Sequence, residues 1–131
     1  AIQAADALSL HEYSAPRMWT NETLHCLRYR RVAGILAELG VNCPPIIIGE
    51  TGIDWGVFEG AEYSKKGWRG GGSLLPLSPS EYVRDLDWYD KQLAQDPIVL
   101  AAFIFNIGFS DWWSFEIGGV PEIADYIEAH L

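Results

Sequence analysis

Residues 45–49 read Pro-Ile-Ile-Ile-Gly, and Glu50, Thr51 and Gly52 follow at once. A short run that is wholly apolar and rich in β-branched residues is typical of a parallel strand buried on both faces. Such strands belong to α/β folds. The segments on either side of residues 45–49 have patterns that fit the same architecture.

A strand and a helix are predicted before this run. Residues 4–10 predict the first strand, and His11-Glu12-Tyr13 stand at its end. A helix is expected over residues 22–39, with an N-cap at position 20 or 21 and apolar side chains at helical spacing. Gly40 is a suitable residue for the end of this helix.

A loop, two helices and a third strand are predicted after it. Residues 51–77 are rich in glycine and predict a long loop. Residues 78–81, Ser-Pro-Ser-Glu, match a capping box with proline at the first helical position. Residues 98–105 predict the third strand, and Pro121 begins the last helix. The order βαβαβα predicts an α/β fold with a parallel sheet in chain order and the helices outside it.

The length and composition indicate one folded domain. The 131 residues divide into three βα units, at about residues 1–40, 41–96 and 97–131, and 49% of them are hydrophobic. The 9 basic and 18 acidic residues leave a net charge of −9, which argues against nucleic acid and anionic membrane surfaces as partners. The longest apolar run, residues 98–105, is far shorter than the roughly 20 residues of a membrane helix.

The cysteines and histidines predict neither a disulfide nor a metal site. Cys26 lies early in the predicted helix and Cys43 lies beyond its end, on the order of 20 Å away. Disulfides need Cα atoms within about 7 Å, so we expect two free, buried thiols. His11, His25 and His130 lack the spacing of metal ligands. No glycine-rich phosphate loop is present, and no cofactor is expected.

Polar and aromatic residues follow all three predicted strands. Ligands of parallel α/β folds bind at the carboxyl ends of the strands, where residues 11–13, 50–52 and 106–113 are expected. Glu50 follows an apolar strand directly, and a carboxylate there is costly to desolvate unless it is paired. Its position alone leaves two interpretations open: a functional carboxylate, or one paired with a helix end or an arginine at the rim.

Three segments resemble consecutive strands of the retaining glycoside hydrolases built on a TIM barrel, the clan A group. Residues 46–52 resemble strand seven, which ends in a glutamate, and His11-Glu12-Tyr13 resembles the His-x-Tyr at the end of strand six. Residues 98–105 with Trp112-Trp113 resemble strand eight, where a tryptophan forms the floor of the sugar subsite. The resemblance implies a single partial-barrel domain, the C-terminal part of a (β/α)8 barrel.

The resemblance also implies roles for individual residues. Glu50 would be the nucleophile that attacks the anomeric carbon of a poly- or oligosaccharide. Tyr13 would donate a hydrogen bond to this carboxylate and hold it ionised, and His11 would line the subsite. A nucleophile of this kind must be ionised, oriented and partly screened from water.

The remaining sugar contacts are expected in two loops. Trp112 or Trp113 would stack on a sugar ring, since the C–H face of a sugar suits an aromatic platform. Asn106, at the end of the third strand, is a further candidate contact, and Trp55 would extend the cleft. The resemblance favours a secreted or extracytoplasmic location.

The chain departs from the family because most of the barrel is absent. A TIM barrel has eight strands in about 250 residues, and three strands are predicted here. The acid/base glutamate belongs to strand four. Asn21-Glu22 has the right dipeptide, but it lies at a helix start and is interpreted as a cap. Strand alternation turns Glu12 away from the cleft, and Asp54 and Asp111 are candidates on loops only. We therefore expect the acid/base residue outside this chain and the isolated chain to be inactive.

Two further interpretations remain open. The same aromatic side chains could bind carbohydrate without chemistry. Alternatively, the two open edges of a three-stranded sheet could pair with other copies of the chain. Inward-facing residues such as Ile47 and Phe103 would form an apolar patch. This patch predicts a partner, either the missing N-terminal barrel portion or a second copy.

Overall fold

The computed structural model describes residues 5–130 apart from 61, 63–64, 72–73 and 109–110. Its strands are β1 (Leu8–Ser14), β2 (Ile46–Ile53) and β3 (Val99–Ile104). Its helices are α1 (Arg28–Glu38), the single-turn α2 (Gly56–Glu59), α3 (Pro79–Leu93) and α4 (Pro121–Ala129). The predicted α/β fold is confirmed, and α2 is an additional turn within the segment predicted as a loop.

The strands form one open parallel sheet in the order β1-β2-β3, as predicted. The ladder between β1 and β2 shifts after Leu10, which pairs with Ile48. His11 consequently lies beside Glu50 and not beside Gly49. Neighbouring residues of a parallel ladder point to the same face, so this shift places His11 and Glu50 together.

One face of the sheet is covered by helices and forms the core. Ile46, Ile48 and Ile53 of β2 are completely buried there. The sequence pattern of α3 predicts a buried face of Tyr82, Leu86, Tyr89 and Leu93. The first three pack into the same core, and Leu93 is half-buried against it. Burial of a large apolar side chain is worth about 1.5–3 kcal/mol, so these contacts stabilise the fold.

No described helix covers the opposite face of the sheet, which carries exposed side chains. The side chain of Phe103 on β3 is 57% exposed, and His11 on β1 is also exposed. Ile47 lies on the same face but is half-buried. The expected apolar patch therefore includes the exposed side chain of Phe103, whereas Ile47 contributes less exposed apolar surface.

The first βα unit differs from its prediction. β1 continues to Ser14, so His11, Glu12 and Tyr13 lie within the strand and not beyond it. α1 begins at Arg28, because Leu27 has a left-handed backbone (φ 64°) that interrupts the helical path. The predicted cap at Asn21-Glu22 is wrong, since these residues lie in turns.

The N-terminus of α1 is capped by Glu12, a residue far from it in the sequence. The Glu12 carboxylate accepts hydrogen bonds from the backbone N–H groups of Leu27 (2.7 Å) and Tyr29 (2.8 Å). It also accepts one from the Tyr89 hydroxyl of α3 (2.7 Å). Burial raises the pKa of Glu12, and these hydrogen bonds oppose the rise. The expectation that Glu12 turns away from the cleft is confirmed.

β2 is longer than predicted. Thr51, Gly52 and Ile53 belong to the strand and not to the following loop. The Thr51 hydroxyl donates a hydrogen bond to the backbone oxygen of Glu12 (2.8 Å), which holds this extension against β1. The loop therefore begins at Asp54.

Several local expectations are confirmed. Gly40 has a φ of 68° just after α1, and the capping box of Ser78 and Glu81 begins α3. Cys26 and Cys43 are free thiols, although Cys43 is only half-buried. The sequence pattern of the last helix predicts an apolar stripe of Ile123, Ala124, Ile127 and Leu131. Ile123 is buried as this pattern predicts, but Ala124 is exposed. Leu131, the last residue of that predicted stripe, lies outside the described residues.

We predict that Glu12→Ala destabilises the fold strongly. The change leaves two backbone N–H groups and the Tyr89 hydroxyl without their acceptor. A buried group without a partner costs about 1–3 kcal/mol, so the free energy of unfolding should fall by roughly 3 kcal/mol or more. Urea denaturation measures this. Glu22→Ala, at the wrongly predicted cap, is the control and should change the value by at most about 0.5 kcal/mol. An equal fall in the free energy of unfolding in both variants would contradict the assignment of Glu12 as the cap of α1.

Candidate functional site

A cavity of about 310 Å³ opens at the carboxyl end of the sheet. Its six lining residues are Tyr13, Glu50, Asp54, Phe105, Trp112 and Phe115. Tyr13 and Glu50 belong to β1 and β2, and Asp54 and Phe105 directly follow β2 and β3. The volume is at the lower end of the roughly 300–1,000 Å³ of small-molecule sites. The strand-end rule therefore locates the cavity correctly.

Glu50 and Tyr13 form the polar centre of the cavity. The Tyr13 hydroxyl donates a hydrogen bond to Glu50 Oε2 (2.7 Å), the contact that the family resemblance implies. Nδ1 of His11 lies 3.3 Å from the same oxygen, and the Glu50 side chain is 35% exposed. Burial raises the pKa of Tyr13 well above its ordinary value, and the hydrogen bond to Glu50 raises it further. Tyr13 therefore remains a hydrogen-bond donor at neutral pH.

The ladder shift in β2 orients Glu50 into the cavity. Without the shift, strict alternation after Ile48 would place Glu50 on the core side of the sheet. Gly49 lies at the shift, and a Cβ atom there would be 2.7 Å from Ser9 Oγ. A side chain at position 49 would therefore require the Ser9 side chain on β1 to move.

Asp54 is the second carboxyl of the cavity. It is half-buried, and its Oδ1 accepts a hydrogen bond from the Gly56 N–H group (2.8 Å). Burial raises the pKa of Asp54, and the hydrogen bond from Gly56 opposes the rise. Asp111, the other candidate on a loop, does not line the cavity. It is exposed, and its Oδ2 lies 3.7 Å from Nζ of Lys65.

Three aromatic side chains form the apolar wall of the cavity. Phe105, Trp112 and Phe115 pack edge to face, with ring centres 5.4–5.6 Å apart. Nζ of Lys65 lies 5.2 Å from the centre of a Trp112 ring, which adds a cation–π contact. The mutual packing of these rings fixes their positions without a ligand.

Two polar side chains, those of Glu116 and Ser114, hold the loop that carries Trp112 in place by hydrogen bonds to the backbone. The Glu116 carboxylate is buried and accepts hydrogen bonds from the N–H groups of Gly108 (2.6 Å) and Gly118 (2.5 Å). Ser114 accepts a hydrogen bond from the Gly67 N–H group (2.8 Å) and donates one to the Lys65 oxygen (2.7 Å). The loop is thus attached both to itself and to residues 65–67.

The other predicted contacts lie outside the cavity. Trp113 is 59% exposed on the surface, and His11 lies beside Glu50 without lining the cavity. Asn106 is half-buried, and its Oδ1 atom has no hydrogen-bond partner among the described residues. The expectation that Trp55 extends the cleft is wrong. Trp55 is 0% exposed, because the turn into α2 directs its ring into the core.

Two wall residues were missing from the sequence-based candidates. Phe105 is the last residue of the predicted third strand, so the strand-end rule could have identified it. Phe115 lies in a loop without a motif or a periodic pattern. Only the tertiary structure brings Phe115 to the cavity.

No family model, no curated protein and no solved structure matches this chain. The family resemblance therefore depends on the residues quoted above. In the described part of the chain, no three His, Cys, Asp or Glu side chains are grouped so that they could hold a metal ion. None of the described helices has both the length and the apolar character needed to cross a membrane.

We predict that Glu116→Ala loosens the base of the Trp112 loop. Loss of the carboxylate leaves the N–H groups of Gly108 and Gly118 without an acceptor. Their hydrogen exchange should accelerate by about tenfold or more, since a hydrogen bond to a charged group contributes about 1.5–3 kcal/mol. Glu122→Ala, at an exposed site on α4, should leave both amides unchanged. Unchanged hydrogen exchange of these two amides in Glu116→Ala would contradict the proposed role of Glu116 in holding the loop.

We predict that the Asp54 carboxyl titrates above the ordinary aspartate pKa of about 3.9. Burial disfavours the charged form, so the proton is retained to a higher pH. A carbon-detected NMR titration of the side-chain carboxyl gives the midpoint directly. A midpoint at or below about 3.9 would mean that hydrogen bonding outweighs burial at this site.

Proposed function

We propose that the cavity binds a sugar ring and that the chain is the C-terminal segment of a retaining glycoside hydrolase acting on a poly- or oligosaccharide. The observation that carries this proposal is the 2.7 Å hydrogen bond from Tyr13 to Glu50 inside a cavity with an aromatic wall. A carboxylate that is oriented by a donor and still accessible has the properties of a glycosyl nucleophile.

The two oxygen atoms of the Glu50 carboxylate have different roles in the proposed reaction. Oε2 accepts the hydrogen bond from Tyr13, whereas Oε1 has no hydrogen-bond partner among the described residues. In the proposed reaction Oε1 attacks the anomeric carbon as the glycosidic C–O bond breaks. The leaving oxygen takes a proton from the acid/base residue, and water later hydrolyses the glycosyl ester.

The proposal includes a partner segment. The resemblance assigns the acid/base residue to a strand outside this chain, so the isolated chain should not hydrolyse ordinary glycosides. We propose that the segment with this residue covers the free face of the sheet, where Phe103 is 57% exposed. An N-terminal barrel portion would supply this segment, whereas a second copy of the chain would cover the face without supplying the acid/base residue.

A second candidate function is carbohydrate binding without chemistry. It is favoured by Asp54, the other carboxyl lining the cavity, whose Oδ1 is engaged by the Gly56 N–H group. Both cavity carboxylates would then serve as acceptors for sugar hydroxyls. In this interpretation, sugar binding survives Glu50→Gln and no covalent intermediate forms.

An activated substrate tests the nucleophile in the absence of the acid. A dinitrophenyl leaving group departs without protonation, so glycosylation needs only the nucleophile. We would incubate the full chain with dinitrophenyl 2-deoxy-2-fluoro glycosides of gluco, galacto, manno and xylo configuration, in both anomers. The fluorine slows hydrolysis of the ester. We expect intact-mass spectrometry to show one added glycosyl unit and peptide mapping to locate it on Glu50.

Matched variants separate the two functions. Glu50→Gln should bind the sugar but remain unlabelled, and Asp125→Asn, an exposed change on α4, should be labelled like the parent chain. Sugar binding without labelling of the parent chain would favour the binding function. Labelling at a residue other than Glu50 would show that the nucleophile is wrongly assigned.

A further inference from the structure

Among the residues that line the cavity, the ionisable carboxyl groups have no basic side chain beside them. Two of its six lining residues, Glu50 and Asp54, are carboxylic acids, and none of the six carries a positive charge. Two basic side chains lie outside this lining: Nδ1 of His11 is 3.3 Å from Glu50 Oε2, and Nζ of Lys65 lies over Trp112. Lys65 is also 3.7 Å from Oδ2 of the exposed Asp111. The chain as a whole also has a net charge of −9.

Asp54 is held in a fixed position with one free acceptor. Its backbone N–H donates a hydrogen bond to the Ser14 oxygen (3.1 Å), which ties it to the end of β1. Its Oδ1 accepts from Gly56, whereas Oδ2 has no hydrogen-bond partner in the described part of the chain. An acceptor fixed in this way loses little conformational entropy when a ligand donates to it.

We propose that the sugar accepted by this cavity carries no negative charge and that Asp54 selects it by accepting hydrogen bonds from its hydroxyl groups. This inference rests on the proposed function, because it requires the cavity to bind a sugar. Neutral glycosides fit the site, whereas uronic acids and sulfated sugars do not.

The physical reason is the cost of placing an anion beside partly buried carboxylates. Burial already raises the pKa of Asp54, which shows that this wall of the cavity disfavours negative charge. A uronate would add a further negative charge and lose its water in a cavity whose lining has no basic side chain. A sugar hydroxyl instead brings an O–H donor to Oδ2, and hydrogen bonds to charged groups are the stronger ones.

Matched pairs of glycosides test this selection on the full chain. The probes are methyl glucoside with methyl glucuronide and methyl galactoside with methyl galacturonide, which differ at C6 only. Binding is followed by calorimetry and by tryptophan fluorescence. We expect a neutral member to bind at least about tenfold more tightly than its uronate. Asp54→Asn should weaken binding of the neutral sugar by about tenfold and reduce the ratio between the affinities for the neutral sugar and the uronate.

A control and three outcomes decide the inference. Asp125→Asn removes the same charge from the exposed face of α4 and should leave the affinities unchanged. A uronate that binds as tightly as its neutral partner overturns the inference, as does an unchanged affinity in a folded Asp54→Asn variant. Both results leave the sugar site itself intact. If neither the neutral glycosides nor the uronates bind the parent chain, the proposed function fails together with the inference.

Discussion

Hydrogen bonds to the buried carboxylate of Glu12 connect the sheet to two of its helices. The carboxylate joins β1 to the start of α1 and to Tyr89 of α3, and it is completely removed from solvent. A charge in that position is tolerated because three donors surround it and the helix N-terminus favours it. Since side chains alternate along a strand, anchoring Glu12 in the core directs Tyr13 to the opposite face, where the cavity lies.

Two glutamates on neighbouring strands thus have opposite environments. Glu12 accepts three hydrogen bonds inside the core, so its acceptor capacity is largely used by the fold. Glu50 accepts one from Tyr13 at an open cavity and keeps an oxygen for a ligand. The shift in the ladder after Leu10 separates these roles, because it brings Glu50 to the face of His11 and Tyr13. The candidate site is therefore a consequence of strand register as much as of residue type.

Much of the architecture was predictable because it follows from short-range patterns. The apolar run at 46–48, the capping box at Ser78 and the glycine after α1 act locally, and all three are confirmed. The start of α1 was not predictable in this way. Its cap comes from Glu12, fifteen residues before Leu27, and no sequence spacing reports a contact made through the core.

Hydrophobic periodicity and strand polarity are properties of the chain, so they predict the α/β order, the parallel sheet and the position of Tyr13 and Glu50 in the carboxyl-terminal half of their strands. The aromatic residues that form the cavity cannot be chosen from such patterns, because contacts between distant segments bring them together. Phe115 and Trp112 meet Phe105 there, whereas Trp55 is buried in the core and Trp113 faces solvent. The sequence shows how many tryptophans are present, but the loop conformations and the packing determine which face of the fold each ring occupies. Loop conformation and packing depend on contacts between segments that are distant in the sequence.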